Sequence, residues 1–175
     1  MNLKIATSLS VVVRIVLWLI MLIGGAWYSI YHDFDNPLFR DISFHILTAL
    51  FGIVVLVFAF RAAANGGREL TKGRVGDIPR LETNRLVRSG IYSCMRHPML
   101  FGLTLLPLGW ALLLGSPTYI IFVAPIEMFF IIMMVLIFEE MEVDKKFTKE
   151  YKEYRKEVPM VSLRLECLKL LFKKA

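Results

Sequence analysis

An arginine and a histidine, Arg96 and His97, stand directly before Pro98 and a long apolar run, in the stretch CMRHPMLFG at residues 94–102. Two adjacent acids, Glu139 and Glu140, close the next apolar run. Pro98 suits the first turn of a helix, where its missing N–H costs nothing. The unpaired amides of such a turn carry partial positive charge and, with Arg96 beside them, favour an anion. Acids at a helix C-terminus oppose the macrodipole and need a compensating cation. The two motifs together suit a ligand that carries both signs of charge. The competing reading is structural: Arg96 and His97 as interface anchors, and the acids satisfied by Lys145 and Lys146.

The elements that position these residues are apolar helices. The chain of 175 residues is 57% hydrophobic, and four segments hold the excess: 5–31, 42–60, 98–114 and 118–138. About 20 apolar residues cross the roughly 30 Å of a hydrocarbon layer. The expectation is an all-α integral membrane protein, a single domain over 1–175. It has four transmembrane helices, a cytoplasmic loop and C-terminal amphipathic helices. The first segment is also compatible with a signal peptide, but its apolar run is long for one. The loop from His32 to Asp41 holds one Arg and three Asp, whereas that from Arg61 to His97 holds eight Lys or Arg against three acids. Ten Lys or Arg follow Phe138. This asymmetry places both termini and the middle loop in the cytoplasm. It also accounts for the net charge of +6 without nucleic acid, and such basic margins attract anionic membrane lipids. Two cysteines, Cys94 and Cys167, exclude a disulfide framework, and neither they nor the scattered histidines form a metal motif.

Residues 65–79, NGGRELTKGRVGDIP, carry four glycines and a proline, so turns are expected there. Phe147, Tyr151, Tyr154 and Val158 share one face of a helix that Pro159 ends. A second interfacial helix follows, with Leu165, Leu168 and Phe172 inward and Arg164, Lys169 and Lys173 outward. Arg14, His45 and Glu127 lie inside apolar segments, where charge is costly. They either tie helices together as an Arg14–Glu127 or His45–Glu127 pair, or, for Glu127, line a substrate cavity that a kink at Pro125 opens. Helices over 98–114 and 118–138, about 26 Å and 32 Å long, are antiparallel neighbours across Gly115-Ser116-Pro117. His97 and Glu139 therefore end at similar depth, on facing lips of one groove.

These residues resemble the isoprenylcysteine carboxyl methyltransferase-like family of membrane methyltransferases, related to the phospholipid methyltransferases. The matching stretches are NRLVRSGIY at 84–92, RHPML at 96–100, EE at 139–140 and FTKEYKEYRKEVP at 147–159, in the family's order and spacing. The resemblance covers about residues 80–160. It implies S-adenosylmethionine bound at the cytoplasmic face by Asn84, Arg85, Leu86, Val87, Tyr92, His97, Pro98, Met99, Leu100 and Glu139. Arg96 and Glu140 join them on charge. It further implies methyl transfer to a lipid-like or prenylated acceptor. Three positions depart from the family pattern: Asn84 for a histidine, Leu100 for a tyrosine, and Val135 for an arginine that meets a carboxylate substrate. An amine acceptor would need no such arginine. The other functions compatible with this frame are a non-catalytic membrane protein and an NADPH-dependent membrane reductase.

Overall fold

The computed structural model describes the backbone of residues 3–76 and 83–173, and their side chains except those of 3–15 and 138. Among the described residues the chain is helical, with no strand. Its helices are α1 (Leu3–Asp33), α2 (Pro37–Arg40), α3 (Ile42–Lys72), α4 (Pro98–Leu114), α5 (Ala124–Met134), α6 (Glu140–Glu157) and α7 (Leu165–Leu170). A 3-10 turn at Gly90–Ser93 precedes α4, and π-helical turns at Tyr119–Val123 and Val135–Glu139 flank α5. Among the described residues two stretches are long and apolar enough to cross a membrane, Ile42–Lys72 and Tyr119–Ile137; α4 is apolar but shorter. Only 17% and 22% of their apolar windows is buried, so these are not core helices of a water-soluble fold.

Several boundaries differ from expectation. α3 does not stop at residue 60 but runs through Gly66 and Gly67 to Lys72, where turns were expected. The reason is packing: a Cβ on Gly66 would lie 2.7 Å from Met99 Cγ and 3.2 Å from Pro98 Cγ, so glycine is what lets α4 begin there. The contact outweighs glycine's cost of about 1 kcal/mol in a helix. Pro125 cannot bond back to Ile121, and the helix takes this up as the π turn over Tyr119–Val123. α7 is also shorter and turned differently than expected. Cys167 and Leu171 are buried, whereas Leu165 points outward, because Cys167 forms a disulfide with Cys94. One bond is not the framework that the cysteine count excludes, but the count gave no sign of the pair.

The chain forms two compact units, one of Met1–Ile53 with Pro107–Glu127, the other of Val54–Leu106 with Met128–Ala175. In the first, Ala26, Ala111, Tyr119 and Ala124 form the apolar centre. Asp33, 1% exposed, accepts hydrogen bonds from Ser116 Oγ, from Thr118 N at 3.0 Å and from Thr118 Oγ1 at 2.5 Å. It thereby fastens the end of α1 to the turn after α4. Gly115 adopts φ +62° against the His45 ring, which leaves no room for a side chain.

In the second unit, Ala59, Ala62 and Ala63 of α3 meet Gly102 of α4. Small residues on both sides allow this close crossing. A core of Ala62, Val87, Ile91, Tyr92, Met95, Phe101, Cys167 and Leu171 lies beside it. On α6, Tyr151, Tyr154 and Val158 are buried with Phe147 packed on them, as the helical spacing predicts. The α6 backbone breaks at Thr148, and the helix ends before Pro159.

Candidate functional site

The second unit brings the two charged motifs together. Pro98 is the first residue of α4, and the His97 carbonyl accepts the first bond of that helix from Phe101 N at 3.0 Å. The chain beyond α6 lies alongside: Arg96 N donates to Pro159 O at 3.0 Å and His97 N to Met160 O at 3.1 Å. Arg96 Nε donates to Val158 O at 3.0 Å, and its Nη1 bonds Glu140 Oε1 and Tyr151 Oη, the latter at 2.7 Å. Three of the five guanidinium donors are thus engaged.

Glu140 is the centre of the cluster. Its Oε1 also accepts from Tyr151 Oη at 2.6 Å and from His97 Nε2 at 2.7 Å, while Arg155 Nη1 stands 3.9 Å from Oε2. Burial opposes ionisation of this carboxyl. The hydrogen bonds from His97 and Tyr151 and the charges of Arg96 and His97 outweigh it and bring the pKa down from 4.5 to about 2. An ionised carboxylate only accepts, so His97 Nε2 carries the proton of that bond and Nδ1 is the other face of the ring. Nδ1 stands 4.0 Å from Glu139 Oε2, and the Glu139 side chain is 45% exposed against 9% for Glu140. Burial, then the bond to Glu140 and its charge, push the Tyr151 hydroxyl well above its ordinary range, so it stays a donor.

The two acids are therefore not equivalent. The cation that Glu140 requires is Arg96, with His97, rather than Lys145 or Lys146. Glu140, which the sequence ranks with Glu139, is bonded to the cationic lip, and Glu139 is the more exposed of the two.

The remaining expected residues divide. Leu86 packs on the Tyr151–Tyr154–Val158 cluster, and Val87 and Tyr92 lie in the neighbouring core. Pro98 and Leu100 are buried, and Met99 is half-buried at the start of α4. Asn84 is exposed and bonded to both backbone groups of Val75, at 2.8 Å and 2.6 Å, and Arg85 N donates to Gly73 O at 3.2 Å. These two shape the loop at the end of α3. Glu127 lies in the first unit, bonded to Tyr119 Oη at 3.1 Å; a Cβ on Gly25 would fall 2.7 Å from its Oε1. His45 Nε2 bonds Phe39 O at 2.5 Å, so neither residue forms the expected His45–Glu127 pair. The Arg14 side chain lies outside the described residues.

Sequence reasoning missed three contributors. Spacing places Tyr151 on a packing face, but its hydroxyl joins Glu140, Arg96 and, at 3.4 Å, His97. Tyr154 donates to the Tyr92 carbonyl. Glu69, 6% exposed, accepts from Lys72 Nζ at 2.6 Å and Ser89 Oγ at 3.0 Å and lies against Gly90, whose φ of +58° turns the loop over it. Nothing in periodicity marks a tyrosine hydroxyl as a ligand of a distant acid; the polar head of an inward tyrosine is the available signal.

The phospholipid methyltransferase family matches the chain over residues 44–150, well over half its length, and the chain belongs to that family. No curated protein and no solved structure matches it. Membership indicates a methyltransferase that acts on lipid-like substrates and, with the two long apolar helices, marks a membrane protein.

Proposed function

We propose that this member of the phospholipid methyltransferase family transfers the methyl group of S-adenosylmethionine to a lipid-borne acceptor at the cytoplasmic face of a membrane. It does so as a four-span protein with both termini cytoplasmic. The observation that carries the reading is the cluster of Arg96, His97, Glu140 and Tyr151. It ties the start of α4 to the end of the apolar helix 43 residues later in sequence and leaves Glu139 at the open side.

The residues present fit a ligand with a carboxylate and a cation. The amides of Met99 and Leu100, second and third in α4, have no backbone acceptor among the described residues, and such amides hold carboxylates. Glu139 supplies the negative charge for the cationic part, and Leu86 and Val87 an apolar side. When bound, S-adenosylmethionine supplies a methyl group already activated on a positively charged sulfur. The protein's work is then alignment and exclusion of water. Arg96, held on three sides, fixes the C-terminal segment over the loop. His97 is held through Nε2 by Glu140, and in its neutral form the ring leaves Nδ1 to accept a proton from an attacking amine. The charge this creates is offset by Glu139 and Glu140. The place of the substrate arginine in prenylcysteine enzymes is Val135, 5% exposed, which favours an amine acceptor over a carboxylate.

The test is transfer of labelled methyl from S-adenosylmethionine to extracted membrane lipids by the purified protein in vesicles. Label in an amine-bearing lipid, lost in His97→Ala, is the expected result. Saturable cofactor binding without label in any lipid would reject the acceptor class, and absence of binding would reject the function.

A further inference from the structure

α3 carries a second feature, separate from the Arg96 cluster. Val57, Phe60, Arg61, Ala64 and Arg68 line a groove of about 420 Å³ along one face of the helix. The size falls within the roughly 300–1,000 Å³ of small-ligand sites. The apolar run of α3 ends at Phe60, so Arg61 marks the edge of the hydrocarbon and Arg68 lies about 10 Å further along the helix. Between them, Ala64 leaves space that a longer side chain would fill.

Both guanidiniums are oriented from within the protein by neutral groups. The Arg61 guanidinium carbon sits 5.6 Å from the centre of the Phe172 ring, which itself packs edge-on to Phe58 at 5.1 Å. Arg68 donates to Asn65 Oδ1, and Asn65 Nδ2 donates to the Leu171 carbonyl. Elsewhere Arg40, Arg88 and Arg96 pair with Asp35, Glu157 and Glu140. Among the described residues no carboxylate stands within ion-pair distance of Arg61 or Arg68, and none lines the groove.

We infer that this groove binds an anionic phospholipid, with its phosphate between Arg61 and Arg68 and an acyl chain along Val57 and Phe60. Two cations above an apolar wall match the order of phosphate and chain in a bilayer leaflet. The absence of a lining carboxylate gives no counter-charge to the ammonium of a zwitterionic headgroup, so the preferred lipid carries net negative charge. The site is therefore not the acceptor site, and it stands whether or not the chain methylates lipids.

The test is thermal unfolding of the purified full chain in neutral detergent, titrated with phosphatidylglycerol. The expected result is a saturable rise in midpoint, with the half-saturating mole fraction raised about tenfold in Arg61→Gln/Arg68→Gln, as loss of charge-assisted bonds to phosphate requires. Ala64→Phe, which keeps both charges and fills the groove, should lose the response to a similar degree, and it carries the test if the double variant does not fold. The surface control Lys149→Gln/Lys152→Gln should respond as the wild type does. An unchanged response in Ala64→Phe would overturn the site. So would an equal loss in the lysine control, or an equal rise with chain-matched phosphatidylethanolamine or inorganic phosphate.

Discussion

Asp33 and Glu140 are both buried carboxylates that join segments far apart in sequence, yet they are held in opposite ways. Among the described residues Asp33 is met by neutral donors, the hydroxyls of Ser116 and Thr118 and one amide, all from a single tight turn. Every bond is local to that turn, and the result is a fastening between two helix ends. Glu140 is met by the guanidinium and imidazole of the adjacent Arg96 and His97 and by a phenol from its own helix, and its neighbour Glu139 is half exposed beside the same imidazole. The first arrangement is a fastening between helix ends; the second is the cluster on which the proposed cofactor site rests.

It can be broken most severely at Glu140. Removing one partner of a buried ion pair leaves the other uncompensated, so Glu140→Ala should lose about 3–5 kcal/mol of stability by denaturant unfolding in detergent. The same residue gives the cluster a pH signature. Its carboxyl titrates near 4.5 in the unfolded chain and at about 2 in the fold, so on acidification the unfolded chain takes up the proton first. The stability it contributes is complete above about pH 4.5 and is lost as the pH falls toward about 2. An acid-unfolding profile of Glu140→Gln should be flatter than wild type in that interval.

The next effect belongs to the disulfide. Cys94 lies two residues before Arg96, and its bond to Cys167 closes a separation of 73 residues. Cys167→Ser should cost about 2–4 kcal/mol relative to the oxidised wild type, read by the same unfolding. Alkylation under non-reducing conditions should modify neither cysteine of the purified protein once it is oxidised. Asp33→Asn keeps the shape and one acceptor but loses the charge, so it should cost about 1.5–3 kcal/mol. It should leave cofactor affinity unchanged, and a large fall in affinity would erase the contrast between the two carboxylates.

The apolar helices were legible because length and hydropathy decide them: 98–114 is the helix as found, and 118–138 is close to it. The buried face of α6 was legible from spacing, and Pro98 from its fixed φ. The continuation of α3 was not, because Gly66 and Gly67 signal a turn locally, and only the contact of Gly66 with Pro98 and Met99 reverses that. The place of Asn84 was obscured likewise: both backbone groups of Val75 claim its side chain, and such partners have no sequence pattern. The Arg96, His97 and Glu140 association followed from opposite charges at two antiparallel helix ends. Which of the two acids turned inward did not, since adjacent positions differ only by about 100° of helix rotation.

The central claim is that this cluster frames a cofactor site, and calorimetric binding of S-adenosylmethionine to the detergent-solubilised protein tests it most directly. Glu139→Gln is expected to keep wild-type stability, because its carboxylate is half exposed, while weakening binding by about tenfold, the loss of one charge contact. His97→Ala should also weaken binding, and the double variant should lose less than the sum of the two, because both residues serve one ligand. Wild-type affinity in both single variants would contradict the account.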